Sequence, residues 1–216
     1  MTQKTPQPAL TLALLGGTGR TGRLLIDQAL VQNYSLRVLA RDPGKLHRQD
    51  GRLEVVQGDA MNAEDIARVI GGSDAVLSAL GQTKGGPSDL LTRAAAHLTE
   101  QMPQHGVKRL ITLVGAGVPF PGDTPKLVDN IFRTLLRVLQ PTVLSDAVAH
   151  AELIRASTLE WTIVRGPMLT DGPAAPLLVG RVGEIRPRVT RASVAQFMLA
   201  QVGRDQYIRQ APAISN

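Results

Sequence analysis

The residues whose types and spacing could do chemistry fall into three groups. Gly16, Gly19 and Gly22 recur at every third position of Gly16-Gly17-Thr18-Gly19-Arg20-Thr21-Gly22, directly after the apolar run 10–15 and at the head of a helical pattern. A strand turning into a helix through such a loop needs glycine for the sharp turn, for close approach of an anion to the backbone, and for tight helix–strand packing. The free N–H groups at the helix start would then receive a pyrophosphate, with Thr18, Arg20 and Thr21 between the glycines. The second group is Arg41-Asp42, at the end of the run 35–40. An acid there would accept from a ribose 2′-hydroxyl, whereas a guanidinium suits a 2′-phosphate. Arg41, with Arg20 as a second positive charge, favours NADP(H) over NAD(H); Asp42 complicates this, although before Pro43 it can simply begin the next turn. The third group is Asp146 and His150, four residues apart on one helix face. A carboxylate beside an imidazole could relay a proton, and the plainer alternative is a solvated surface pair.

Other chemistries are excluded by what the chain lacks. The spacing from Gly17 to Arg23 imitates a phosphate-binding P-loop, but Arg23 and Leu24 stand where that motif has Lys and a magnesium-binding hydroxyl, which argues against nucleotide hydrolysis. There is no cysteine, so disulfides, thiolate metal sites and cysteine nucleophiles are out, and a reducing cytoplasm suits the composition. The histidines His47, His97, His105 and His150 show no metal-ligand spacing. A net charge of +6 raises the question of nucleic acid, but the basic residues are dispersed and aromatics make up only 3%, too few for a stacking platform. The charge equally suits an anionic small ligand. No apolar run approaches the ~20 residues that span a bilayer, so no membrane association is expected.

The elements that must position these groups follow from hydrophobic patterning. Residues 1–8 are polar and proline-containing and read as a flexible tail, leaving 9–216 as one domain with a small elaboration near its end. Apolar runs at 10–15, 35–40, 53–57, 75–79, 109–114 and 161–165 are nearly continuous, as expected of parallel strands covered on both faces. Helical periodicity occupies 20–32, 62–70, 88–105 and a long region 125–157. Asn62 can cap the second of these. A last helix at 193–202 and a strand at 206–211 complete the chain, and 166–187 is rich in Pro and Gly. This alternation implies an α/β, doubly wound parallel-sheet Rossmann fold with helices on both faces. Leu127, Val128, Ile131, Phe132, Leu135, Leu136 and Leu139 form an apolar stripe, which serves the core, an apolar substrate pocket or a dimer face.

GGTGRTG, VLARD, VVQGDA, SALG and DAVAHAELIRASTLEWTIVRGPMLTDGP together resemble the atypical short-chain dehydrogenase/reductase group of NAD(P)H-binding proteins. Within it the likeness is to biliverdin-IXβ reductase/flavin reductase and NmrA-like proteins. The resemblance implies that Asp59 and Ala60 flank the adenine and that Leu80 and Gly81 line the ribose. It also implies that Val114, Gly115, Gly166, Pro167 and Met168 face the nicotinamide. Asp59 has the alternative of a turn or helix-capping role, and Arg165 either binds substrate or pairs with Glu152.

The chain departs from the group where the reaction would be set. Tyr34 and Tyr207 are its only tyrosines and neither begins a Tyr-x-x-x-Lys pair, the pair by which short-chain dehydrogenases protonate a substrate oxygen. The fifth strand ends Val114-Gly115 in place of a serine, and Met168 stands where flavin and biliverdin reductases often carry a histidine. Ordinary alcohol–ketone chemistry is therefore not expected. Hydride transfer to a flavin, a quinone or a similar flat conjugated acceptor needs no strong protein acid, since solvent can supply the proton. An NADPH-dependent reductase of that kind, acting as a monomer or homodimer, is the leading expectation. The alternative is a non-catalytic NADP(H)-sensing regulatory protein.

Overall fold

The structure is a computed structural model that describes residues 10–82, 85–127, 130–131, 134 and 138–216. The expected tail lies outside these residues, as do Val128, Phe132, Leu135 and Leu136 of the apolar stripe. Strand β1 (Thr11–Leu15) leads into α1 (Arg20–Val31), followed by β2 (Ser35–Ala40) and β3 (Leu53–Gln57). Next come α2 (Ala63–Ile70), β4 (Ala75–Ser78), α3 (Leu90–Gln104) and β5 (Arg109–Gly115). Then α4 (Pro141–Ala156), β6 (Glu160–Gly166), β7 (Met168–Thr170), β8 (Leu178–Gly180), β9 (Arg188–Thr190), α5 (Arg191–Ala200) and β10 (Ala213–Ser215) complete the order.

The main sheet runs β3-β2-β1-β4-β5-β6-β10-β8. All its pairs are parallel except β10 with β8. Strand residues alternate between two cores. Ala13 and Leu15 face a cluster built with Ile66, Leu98 and Ile154 of α2, α3 and α4, while Leu12 and Leu14 face one built with Leu25 of α1 and Val194 of α5. Covering both faces explains why the runs are apolar throughout. Each fully buried Leu or Ile contributes roughly 1.5–3 kcal/mol.

The chain winds outward from β1 through β2 to β3, then returns to β4 on the other side of β1. This reversal leaves a crevice between the carboxyl ends of β1 and β4, the place where open α/β sheets take ligands. Local signals place the elements around it. Asn62 accepts from the amides of Glu64 at 2.8 Å and Asp65 at 3.2 Å, so it caps α2 as expected. Glu64 and Asp65 in the first turn and Arg68 in the last complement the helix dipole.

Three expectations need correction. The helical region 125–157 does not run through: Gln140 leaves helical geometry at φ −141°, ψ 58°, and Pro141 opens α4. The last helix begins earlier, at Arg191, because the Thr190 side chain accepts from the Ser193 amide. The terminal strand lies at Ala213–Ser215 rather than 206–211, of which Gln210 makes only an isolated bridge to Thr162. The Pro- and Gly-rich stretch also contains strand. Thus β7 pairs with β9 in a small separate sheet, and β8 closes the main one.

Candidate functional site

The carboxyl ends of β1 to β4 enclose a cleft of about 120 Å³, lined by Gly16, Thr18, Gly19, Leu39–Arg41, Gly58–Ala60, Ala79–Gly81 and Leu90. Gly16 and Gly19 line it, and each of the three spaced glycines is required for a separate reason. Gly16 adopts φ +81° and a Cβ there would meet the Ala79 carbonyl oxygen at 2.6 Å. A Cβ on Gly22 would strike the Gly16 carbonyl oxygen and lie 2.7 Å from Gly17 Cα, so this glycine lets α1 pack against the turn. Gly19 differs: its backbone is ordinary, at φ −75° and ψ 167°, and a Cβ would meet only the Gly16 oxygen, at 3.3 Å. Its bareness keeps the cleft open. Gly19 also caps α1, with no side-chain cap bond and no acidic residue in the first turn. The first-turn amides and the positive helix end are thus left to an external anion, and the diphosphate of a dinucleotide fits this cradle.

The second-strand residues separate as the competing readings require. Asp42 turns away, accepting from Gly44 N at 3.1 Å and lying 3.7 Å from Lys45 Nζ. Arg41 lines the cleft, is exposed, and has no hydrogen bond or ion pair among the described residues. Arg20 does not join it. Its guanidinium lies 3.7 Å from Asp171, just after β7, so its charge is aimed across the other flank of the loop. The side chain that does link the glycine loop to the turn after β2 is Arg23, donating to the carbonyls of Thr18 at 3.2 Å and Lys45 at 3.3 Å. Sequence spacing gave no warning of it.

Asp59 and Ala60 line the cleft, and Asp59 also serves the turn, its Oδ1 accepting from Met61 N at 3.0 Å. Leu80 and Gly81 stand on the opposite wall. Thr21 and Gly22 point inward, Thr21 with 7% exposure. Val114, Gly115, Gly166, Pro167 and Met168 sit at the paired carboxyl ends of β5 and β6, with Gly115 opposite Gly166, beyond the walls of this cleft. Val114 is buried in the core, and Met168 is 42% exposed.

Asp146 and His150 are not a solvated pair; both are buried, at 4% and 1% exposure. Asp146 reaches from α4 to the start of α3, where Asp89 makes no side-chain cap. Its carboxylate accepts from Leu91 N at 2.9 Å, Thr92 N at 2.8 Å, Thr92 Oγ1 at 2.6 Å and Gln82 Nε2 at 2.8 Å. Burial raises its pKa, but the Thr92, Gln82 and amide hydrogen bonds outweigh burial and hold the carboxyl below the ordinary value. His150 Nδ1 lies 2.9 Å from the Leu91 carbonyl, and Nε2 lies 3.0 Å from Thr112 Oγ1. A carbonyl only accepts, so Nδ1 carries the hydrogen and Nε2 accepts from the hydroxyl. Each ring nitrogen is committed to a protein partner. The two side chains thus clamp α4 to α3 and β5, a structural task that the spacing of the pair did not suggest.

Burial pushes His150 below its ordinary pKa of 6.5, against opposing pulls from the Leu91 carbonyl and Asp146. The unfolded chain takes up a proton near that value while the folded ring stays neutral. Folding stability on this account is full above the unfolded pKa and is lost as pH falls toward the folded one. Urea unfolding between about pH 5 and pH 8 should show stability declining on the acid side, and His150→Gln should flatten that decline. An unchanged slope would remove His150 as its source.

Arg165 neither faces substrate nor pairs with Glu152. Its guanidinium is 1% exposed and grips Asp123 at 2.6 and 2.9 Å, with Nε donating to the Ala211 carbonyl at 2.8 Å. Asp123 also accepts from Phe120 N at 2.8 Å and Val182 N at 3.2 Å. This buried pair fastens the loop after β5 to β6 and to the segment after β8. Among the described residues no cluster of side chains could hold a metal ion, and no helix is long and apolar enough to cross a membrane.

Comparison with known proteins agrees with this geometry. The chain is 25% identical over 178 residues to the chloroplastic protein Plastid transcriptionally active 16 of Arabidopsis thaliana, which covers 74% of this chain and 34% of that protein. It thus spans about a third of that relative's length. A short-chain dehydrogenase/reductase of Veillonella parvula, solved in complex with NADP, has a TM-score of 0.80 at 15% identity, covering 96% of this chain and 94% of that one. ChuY, an anaerobilin reductase of Escherichia coli O157:H7, has a TM-score of 0.79 at 17% identity, covering 95% and 96%. At such identities these structures speak for the Rossmann fold alone. The sequence match from residue 16 to residue 205 begins at the glycine loop and runs through both cores to just beyond α5, and it makes this chain a member of the NAD(P)H-binding family.

Proposed function

We propose that the protein binds NADP(H) in the cleft and reduces a flavin, a quinone or a similar flat conjugated acceptor. The observation that carries the cofactor preference is Arg41, a cleft guanidinium without a partner among the described residues, beside an Asp42 occupied in its own turn. The first-turn amides of α1 hold the diphosphate, Arg41 takes the 2′-phosphate, Asp59 and Ala60 flank the adenine, and Leu80 and Gly81 line the ribose. Val114, Gly115, Gly166, Pro167 and Met168 form the floor under the nicotinamide. The bound dinucleotide supplies the hydride. The protein's share is orientation and exclusion of water. Asp146 and His150 are fully engaged elsewhere, which favours an acceptor whose proton comes from solvent. On this reading the protein works in the cytoplasm as a monomer or homodimer.

The same engagement of Asp146 and His150 also favours a second reading, an NADP(H) sensor without turnover. Thermal-shift titration with NADPH and NADH, followed by NADPH oxidation with FMN and quinones, separates the two. Stabilisation by NADPH without oxidation by any acceptor selects the sensor. Arg41→Ala should weaken NADPH binding about tenfold or more, the worth of one charge-assisted contact, and leave NADH nearly unchanged. Equal weakening of both would make Arg41 structural and end the argument for NADP(H).

A further inference from the structure

We propose that Asp171 sets the affinity of the glycine loop for its anionic ligand by holding Arg20 as an internal counter-ion. The proposal rests on the dinucleotide reading of that loop. Arg20 is the first residue of α1, so its guanidinium adds to the positive end of the helix where the diphosphate is to bind. Asp171 Oδ2 stands 3.7 Å from Arg20 Nη1, while its Oδ1 accepts from Arg191 Nη1 at 2.7 Å.

The two arginines are unequal partners. Arg191 has a side chain only 9% exposed, whereas those of Arg20 and Asp171 are each 73% exposed. The carboxylate is therefore anchored from the Arg191 side, and Arg20 is the partner able to swing. Backbone geometry fixes the anchor. Gly172 adopts φ +138°, and a Cβ there would meet only Thr190 Cγ2, at 3.5 Å, so conformation and not space requires the glycine. One residue on, the Pro173 carbonyl accepts from the Thr190 hydroxyl at 3.1 Å, pinning the turn to the start of α5.

A fixed carboxylate at that point neutralises Arg20 and repels an incoming phosphate. An arriving dinucleotide must draw Arg20 off Asp171 or share it, so binding is weaker than the bare loop would allow, and release is correspondingly faster. The contact also joins the cofactor loop to the segment that follows β7 of the small sheet.

In the full chain, Asp171→Asn removes the charge and keeps a neutral acceptor for Arg191. Titrated by its own fluorescence, NADPH is expected to bind this variant about fivefold more tightly at low salt, with the gain shrinking as salt is raised. Beside Arg20→Gln the same substitution should gain no more than about twofold, because the coupled partner is gone. Unchanged or weaker binding by the Asp171→Asn protein, or a gain that persists in full beside Arg20→Gln, overturns the proposal. A wild-type protein that binds neither NADPH nor NADH overturns the dinucleotide reading itself, and this inference with it.

Discussion

Asp146→Ala is expected to lower folding stability by about 3–5 kcal/mol, the usual consequence of removing a buried charge from a saturated hydrogen-bond network. Two amides at the start of α3 lose their acceptor outright, while the Gln82 side chain keeps only the Ser88 carbonyl at 2.9 Å and the Thr92 hydroxyl only the Asp146 main-chain carbonyl at 3.3 Å. The amides have no acceptor within their own helix, being first-turn groups, and Asp89 does not cap them by its side chain. Asp146→Asn should fall between, since its carbonyl oxygen keeps some bonds while its NH2 group opposes a donor. Urea unfolding of the three proteins measures the series. A native-like midpoint for the alanine variant, combined with lost turnover, would return Asp146 to the proton relay that its burial and partners speak against.

The second large effect concerns binding. Gly19→Ala should reduce dinucleotide affinity by about a hundredfold or more, because a methyl group would stand where the phosphate must approach the backbone. The cost in stability should be only about 1 kcal/mol, the difference between glycine and alanine at a helix cap, since φ is −75° and the Cβ would have one neighbour at 3.3 Å. Gly22→Ala is the contrast. There the Cβ would collide with backbone of Gly16 and Gly17, so stability and binding should fall together. Calorimetric titration with NADPH beside thermal melts distinguishes the two. If Gly19→Ala binds as the wild type does, the anion does not sit on this helix end.

The parts of the molecule that were legible from sequence are those whose causes are local. Each strand–helix junction carries its own signal: apolar runs for two-sided burial, Asn62 before α2, glycines at the first turn. The cofactor cleft follows from these, because winding order alone brings the ends of β1, β2, β3 and β4 together. The unreadable parts depend on partners distant in the chain. Asp146 lies 54 residues from Thr92, and Arg165 lies 42 from Asp123. No periodicity links such residues, so Asp146 offered only a proton relay or a surface pair, and Arg165 only a substrate ligand or a partner for Glu152. The ion pair of Arg20 was hidden for the same reason, its partner Asp171 lying beyond β7. The short strands β7, β8 and β9 escaped because three residues are too few for a pattern to show.

Arg23 has one further consequence. By holding the carbonyls of Thr18 and Lys45 with a single guanidinium, it makes the phosphate cradle and the turn that follows Arg41 one piece before any ligand arrives. The entropy of fixing those two loops is then already lost on folding and is not charged against association. Dinucleotide capture at this end of the cleft becomes close to rigid docking, with ordering confined to exposed side chains such as Arg41 and Arg20.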